Sequence, residues 1–218
     1  MRRVPDPLMT GREYDAGAEQ FDARFASTRT TVRRFDVIDE PQRRCARGAE
    51  RVLEIGCGTG RLLTTLGGRL CVGIDVSEGL LRIAARKGLA VIRADAHRLP
   101  FADSSFEAIT AGNGVFRYLD YARSFGECAR VLRPGGRLAV HQYSRRPLGP
   151  RMRRRRAADN ALHVGDLAEV RRAASEAGFV EEELCLLHNV WFWPYAVRLP
   201  ELVAWRLWDH ATFVFRKG

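Results

Sequence analysis

The stretch Arg51-Val52-Leu53-Glu54-Ile55-Gly56-Cys57-Gly58-Thr59-Gly60 decides how the chain is read. Its first half is a short apolar run, and its second half carries three glycines at alternate positions. A buried strand that ends in a tight turn has this form. Glycines there permit positive φ and let a ligand lie against bare backbone. Their spacing is G-x-G-x-G. The dinucleotide fingerprint is G-x-G-x-x-G, and Arg61 stands where that pattern wants its third glycine. This argues against a dehydrogenase.

The same alternation repeats downstream. Leu70 to Ile74 reads as a second strand ending at Asp75, and Ser77 is placed to cap a helix running to Arg86. Ala90 to Ala94 reads as a third strand ending at Asp95, and Phe106 to Ala111 as a fourth. A helix over Tyr121–Leu132 is broken by Pro134-Gly135-Gly136, and Arg137 to His141 forms a fifth strand. A helix is also expected over Arg61–Leu66. Asp166 to Gly178 reads as a further helix, with strands near Glu182–Leu187 and Thr212–Arg216. Strands alternating with helices mean βαβ units and a parallel sheet. The expected architecture is α/β, doubly wound, with a mostly parallel seven-stranded sheet and helices on both faces. Its ligand site belongs at the carboxyl ends of the strands.

Asp75 follows Gly56 by 19 residues. At that place it can accept hydrogen bonds from both hydroxyls of a ribose. Asp95 ends the next strand, where an adenine amino group can donate to it.

Four segments resemble the class I S-adenosylmethionine-dependent methyltransferases, over about residues 51–145. Val52–Gly60 is similar to the family's first motif and Gly73-Ile74-Asp75-Val76-Ser77 to its second. Ala94-Asp95-Ala96-His97-Arg98-Leu99-Pro100-Phe101 resembles its adenine-contact segment. Ala129–Gly136 resembles the turn before its fifth strand. The small-molecule and quinone-type branch is the nearest in form. The resemblance implies a Rossmann-like fold and S-adenosyl-L-methionine as cofactor. It implies that Gly56, Cys57, Gly58 and Gly60 border the methionine part. Glu54 would orient the turn or face the cofactor's ammonium. Asp75 would hold the ribose with Val76 against the adenine, and Asp95 and Ala96 would frame the adenine edge. Asn113 would sit by the sulfonium and the acceptor, although Gly112-Asn113-Gly114 is also a good turn sequence. Tyr14 and the following Asp15 resemble part of an N-terminal lid, a looser match.

Residues 1–45 read as a helical arm, 51–145 as the cofactor-binding core and 146–218 as an acceptor-side segment, all within one domain. The chain has 218 residues, 46% hydrophobic and 28% charged, enough to bury roughly 70% of the unfolded surface. No apolar run approaches the roughly 18 residues of a membrane span. The five cysteines are widely spaced and form no C-x-x-C pair. That argues against a disulfide framework or a zinc site and suits a reducing cytoplasm. His163, His188 and His210 have no companion acids at ligand spacing, so no metal is expected.

The formal charge is +10, and all but two of the 36 basic residues are arginines. Seven lie between Arg145 and Arg156. Such a cluster can bind phosphate, carboxylate or RNA backbone, or remain a solvated loop. All four tryptophans fall between Val190 and Trp208. They suit an apolar acceptor pocket, an aromatic cap on the sheet edge, or contact with a membrane surface.

A sulfonium methyl group is already activated, so alignment and exclusion of water carry most of the reaction. A base is needed only if the acceptor must lose a proton. His141, at the expected end of the fifth strand, is the first candidate, ahead of His97, His188 and Tyr118. The expected activity is methyl transfer to a small or lipophilic metabolite. An RNA methyltransferase and a non-catalytic S-adenosylmethionine-binding protein are the alternatives.

Overall fold

A strand buried on both faces has to be covered by helices on both sides. The first strand, β1 (Arg51–Ile55), meets that condition: Val52, Leu53 and Ile55 are all within 1% of full burial. In the computed structural model, which describes residues 6–26, 29–112, 114–143, 166–189, 196–198 and 210–218, β1 lies near the centre of one sheet. The other strands are β2 (Leu70–Asp75), β3 (Ala90–Arg93), β4 (Phe106–Ala111), β5 (Leu132–Tyr143), β6 (Phe179–Asn189), β7 (Ala196–Arg198) and β8 (His210–Lys217). Their order is β3-β2-β1-β4-β5-β8-β6-β7. The first five in that order are parallel. β8 is antiparallel to both β5 and β6, and β7 is antiparallel to β6.

The chain winds outward from β1 through β2 to β3, then restarts beside β1 at β4. The carboxyl ends of β1 and β4 therefore flank the switch point, where a crevice opens in sheets of this kind. Side chains on β5 show the two covered faces directly. Leu138 and Val140 join the cluster that contains Phe125, whereas Ala139 between them packs with Cys45 and Val214. Helix α3 (Arg29–Ala46) carries Cys45 on the second face; α5 (Tyr121–Val131) and α6 (Leu167–Glu176) lie on the first. Phe125 of α5 is fully buried and meets the rings of Phe116, Tyr121, Phe179 and Phe215 at 5.0–6.1 Å between centroids.

Helix α4 (Glu78–Arg86) starts as its sequence foretells, with the Ser77 hydroxyl accepting from Leu80 N–H at 3.1 Å. The arm consists of α1 (Pro7–Asp15) and α2 (Ala18–Ala26), followed by α3. Tyr14, Ala18 and Phe21 pack against Leu80 and Ile83 of α4.

Three local expectations are corrected. The helix expected over Arg61–Leu66 is only a 3-10 turn, Leu63–Thr65. Gly67 and Gly68 follow at once and β2 begins at Leu70, so no room remains for further turns. Leu62, Leu63 and Leu66 still bury their side chains against Val52 and Ala108. Pro134-Gly135-Gly136 does not precede β5 but lies within it. Leu132 already pairs with Phe106, and the register then shifts so that Arg137 faces Ala108. An eighth strand, β7, pairs with the end of β6, within the stretch where sequence shows only an aromatic run. Among the described residues no helix is long and apolar enough to cross a membrane.

Phe125→Ala should cost about 3–5 kcal/mol in urea denaturation, the range for emptying a large aromatic site. Phe125→Leu should cost clearly less. Equal midpoints for wild type and Phe125→Ala would show that the five-ring cluster does not hold α5 to the sheet.

Candidate functional site

A cavity opens at the carboxyl ends of β1, β2 and β4 and encloses about 1180 Å³, its mouth included. The glycine turn forms its floor. Gly56 has φ +66°, and a Cβ there would lie 2.5 Å from Cγ2 of Val115. Gly58 has φ +55° and donates its N–H to Oδ2 of Asp75 at 2.9 Å. The other carboxylate oxygen, Oδ1, accepts from Ser77 N–H at 2.9 Å. Asp75 therefore ties the end of β2 to the turn after β1 while its remaining lone pairs stay available. Burial raises its carboxyl above the usual range, and the Ser77, Gly58 and Val76 N–H groups oppose that rise.

Asp95 is fixed by a second relay. Its Oδ1 accepts from the N–H of His97 at 2.9 Å and lies 2.7 Å from His97 Nδ1. On the far side of the ring, Nε2 accepts from Asp120 N–H at 2.9 Å. Because Nε2 is an acceptor, the ring proton belongs on Nδ1, pointing at Asp95. His97 is thereby placed to position Asp95.

Glu54 is 3% exposed, and its Oε2 has no hydrogen-bond partner. Burial, with the charges of Asp39 and Asp75, pushes its carboxyl well above the ordinary range, while Arg61 opposes the shift. A buried carboxylate oxygen of this kind calls for a cation or donor from a ligand. Arg61 is itself held by Asp39, through both guanidinium nitrogens, and lies over the Phe35 ring at 4.3 Å. Sequence reading notes Arg61 only as the residue that displaces a glycine, and overlooks Asp39. Their pairing joins α3 to the crossover after β1, and no local pattern announces it.

Tyr14, Cys57, Val76 and Ala96 also line the cavity. Burial raises the Cys57 thiol far above its ordinary pKa, so the side chain acts as packing. Gly60 does not reach the cavity; the space beside it is filled by Leu89. His141 is also displaced from its expected place. β5 runs on to Tyr143, so His141 is no longer at the strand end. It is fully buried, with Nε2 3.2 Å from Nδ1 of His210 on β8. Tyr143 lines the cavity instead. Asn113, Arg145–Arg156 and most of Val190–Trp208 lie outside the described residues, as does the side chain of His188. Among the described residues no group of three or more His, Cys, Asp or Glu is placed to hold a metal.

A second part of the lining is aromatic and cationic. Arg117 lies over the rings of Tyr118 (4.8 Å) and Tyr143 (5.4 Å) and donates to the Tyr118 hydroxyl at 2.7 Å. That hydroxyl is 2.7 Å from the hydroxyl of Tyr14 on the arm. Sequence reading names Tyr118 but misses Arg117.

Residues 53–140 match the family model of the methyltransferase domain. That match takes in about two-fifths of the chain. The chain is 38% identical over 150 residues to a demethylmenaquinone methyltransferase of Corynebacterium urealyticum, covering 64% of this chain and 61% of that protein. It thus spans about three-fifths of the length of that relative. An S-adenosylmethionine-dependent methyltransferase from Thermotoga maritima superposes with a TM-score of 0.75 at 20% identity, covering 95% and 99% of the two chains. The [4+2]-cyclase SpnF superposes at 0.69 with 19% identity, covering 100% and 99%. One fold thus carries more than one chemistry, so substrate and reaction have to be argued from the cavity. The Thermotoga maritima neighbour depends on S-adenosylmethionine. The cavity suits that cofactor, with bare backbone at the glycine turn, an orphaned carboxylate oxygen on Glu54 and two anchored aspartates.

The arm is latched to this cavity by charge. Oδ1 of Asp15 accepts from the Ser77 hydroxyl at 2.6 Å and from Gly79 N–H at 2.7 Å. These bonds hold its carboxyl below the ordinary value of 3.8. Asp22 meets Lys87, which also donates to the carbonyl of Thr59. A depressed pKa makes the Asp15 latch fully present above about pH 3.8 and progressively lost as pH falls through the lower folded value. Amide exchange in α1 and α2, corrected for its intrinsic pH dependence, should keep constant protection from pH 7 to 5 and lose it in stronger acid. Asp15→Asn should weaken protection at neutral pH and flatten that response; an unchanged profile would remove Asp15 as the latch.

Proposed function

We propose that this chain transfers the methyl group of S-adenosylmethionine to a small, lipophilic acceptor of the quinone type. One observation carries the reading. A single cavity joins Glu54, Asp75 and Asp95 on one wall to Tyr14, Val115, Arg117, Tyr118 and Tyr143 on the other. The name of the relative from Corynebacterium urealyticum, a demethylmenaquinone methyltransferase, supports the acceptor class. So does the stacking surface of the tyrosines, which suits a flat aromatic ring.

When bound, the cofactor supplies an electrophilic methyl group on a positively charged sulfur. The chain's own residues bind, orient and shield. Asp75 holds the ribose hydroxyls, with Val76 beside the adenine. Asp95, steadied by His97, meets the adenine edge together with Ala96. Glu54 offers its unpaired oxygen to the ammonium group, and Gly56 and Gly58 let the methionine part approach backbone. The arm serves as a lid: Tyr14 closes over the cavity through its bond to Tyr118. Residues beyond 146 complete the acceptor side. Burial pushes the Tyr118 hydroxyl far above its usual pKa. It acts as a neutral donor and not as a base.

Calorimetric titration with S-adenosylmethionine, S-adenosylhomocysteine and NAD tests this reading. Both adenosyl ligands should bind and NAD should not; binding of NAD alone would refute the reading. Asp75→Ala should weaken S-adenosylhomocysteine binding by about 1–3 kcal/mol through lost hydrogen bonds to a charged group. Unchanged affinity in the folded variant would remove Asp75 as the ribose ligand.

A further inference from the structure

A buried cation normally has a carboxylate beside it, because isolation in a poorly solvated site is costly. Arg117 lacks one. Among the described residues no Asp or Glu pairs with it, and its Nε is buried without a hydrogen-bond partner. Its neighbours are the phenol rings of Tyr14, Tyr118 and Tyr143. Arg61, the other arginine on the cavity wall, is neutralised by Asp39. Among the described residues the positive charge of Arg117 therefore has no carboxylate beside it, and Arg117 lines the cavity.

The two hydroxyls supply a second donor by simple counting. Tyr14 and Tyr118 together own two protons, and one of them lies in the bond between the two oxygens. Arg117 donates to the Tyr118 oxygen and so consumes none. One O–H remains to be given away, whichever tyrosine carries it. A guanidinium and a free phenolic proton side by side form a receptor for an oxyanion.

We propose that Arg117, with the Tyr14–Tyr118 hydroxyl pair, binds the methyl acceptor through an ionised oxygen, and so selects acidic phenols and enols. The proposal rests on the methyltransferase reading above and specifies its acceptor. An aromatic ring bearing O⁻ is electron-rich at oxygen and at the adjacent carbons, which are the atoms able to attack a methyl group. The subsite favours loss of the phenolic proton to solvent before the acceptor is engaged. In either transfer the S–CH3 bond breaks and its electron pair stays on S-adenosylhomocysteine; transfer to oxygen then needs no base, whereas transfer to an adjacent carbon also releases the ring C–H proton, which passes to solvent as the ring regains aromaticity. The same site disfavours cationic amines, since their charge would oppose Arg117.

The test uses 4-nitrophenol, whose ionised form is read by visible absorbance, added to the full chain saturated with S-adenosylhomocysteine. In the wild type the bound probe should ionise at a pH at least one unit below that of the free probe, a tenfold shift in the equilibrium. Arg117→Met should abolish the shift, Arg117→Lys should restore part of it, and Tyr118→Phe should reduce it about threefold. A bound probe with unshifted ionisation would overturn the proposal, as would a probe that does not bind or a shift that survives Arg117→Met. Should Arg117→Met fail to fold, the Lys and Phe variants decide, since both keep the ring packing. Failure of S-adenosylhomocysteine to bind would refute the methyltransferase reading itself. Normal cofactor binding with no shift in the probe would refute only the oxyanion subsite.

Discussion

The Asp75 carboxylate holds the site together. One oxygen takes the N–H of Gly58 and the other the N–H of Ser77. The first bond fixes the turn after β1, and the second fixes the entry to α4. The Ser77 side chain then caps α4 and receives a partner from the arm, since its hydroxyl donates to Asp15. The glycine turn, helix α4 and the lid are thus referred to one carboxylate. Charge-assisted bonds of this sort are stronger than neutral ones. They also keep a charged group buried at a point where the ligand brings further donors.

Charge is arranged asymmetrically around the cavity. The wall assigned to the cofactor carries Glu54, Asp75 and Asp95, and its arginine is paired with Asp39. The wall assigned to the acceptor carries Arg117 and no acid among the described residues. A cofactor with an ammonium group and a sulfonium is attracted to the first wall; an acceptor oxyanion is attracted to the second. At low effective dielectric these preferences are far stronger than in water. With the ligands assigned as proposed, these preferences would orient the two toward each other without any moving part of the sheet.

Much of this was legible in the sequence wherever the signal is local. The alternation of strands and helices, the Ser77 cap, the acids ending β2 and β3 and the glycine turn are all written within a few residues. What sequence misses depends on contacts between distant elements. Asp39 meets Arg61 across 22 positions, and Tyr14 meets Tyr118 across 104. His141 looked like a strand-end base because Tyr143 was not read as part of β5. Pairing with β8 as far as His210 extends the strand by two residues and turns the histidine into a core group. Arg117 sits in a 3-10 turn that has no periodicity to reveal which way it faces.

The match to the family model spans residues 53–140 and divides the cavity unevenly. Glu54, Gly56, Asp75, Asp95, Arg117 and Tyr118 fall within it, whereas Tyr14, Asp15, Asp39 and Tyr143 lie outside. The cofactor wall is built largely from backbone amides and short acids, which any strand-turn-helix of this spacing can present. The acceptor wall requires the arm and the end of β5, far apart in sequence, to meet over the turn at 115–118. Acceptor choice is therefore a property of how the outer elements close on a fixed core. On the assignment proposed here, a change in the arm, or in the length of β5, would reshape the acceptor wall while leaving the residues assigned to ribose and adenine untouched.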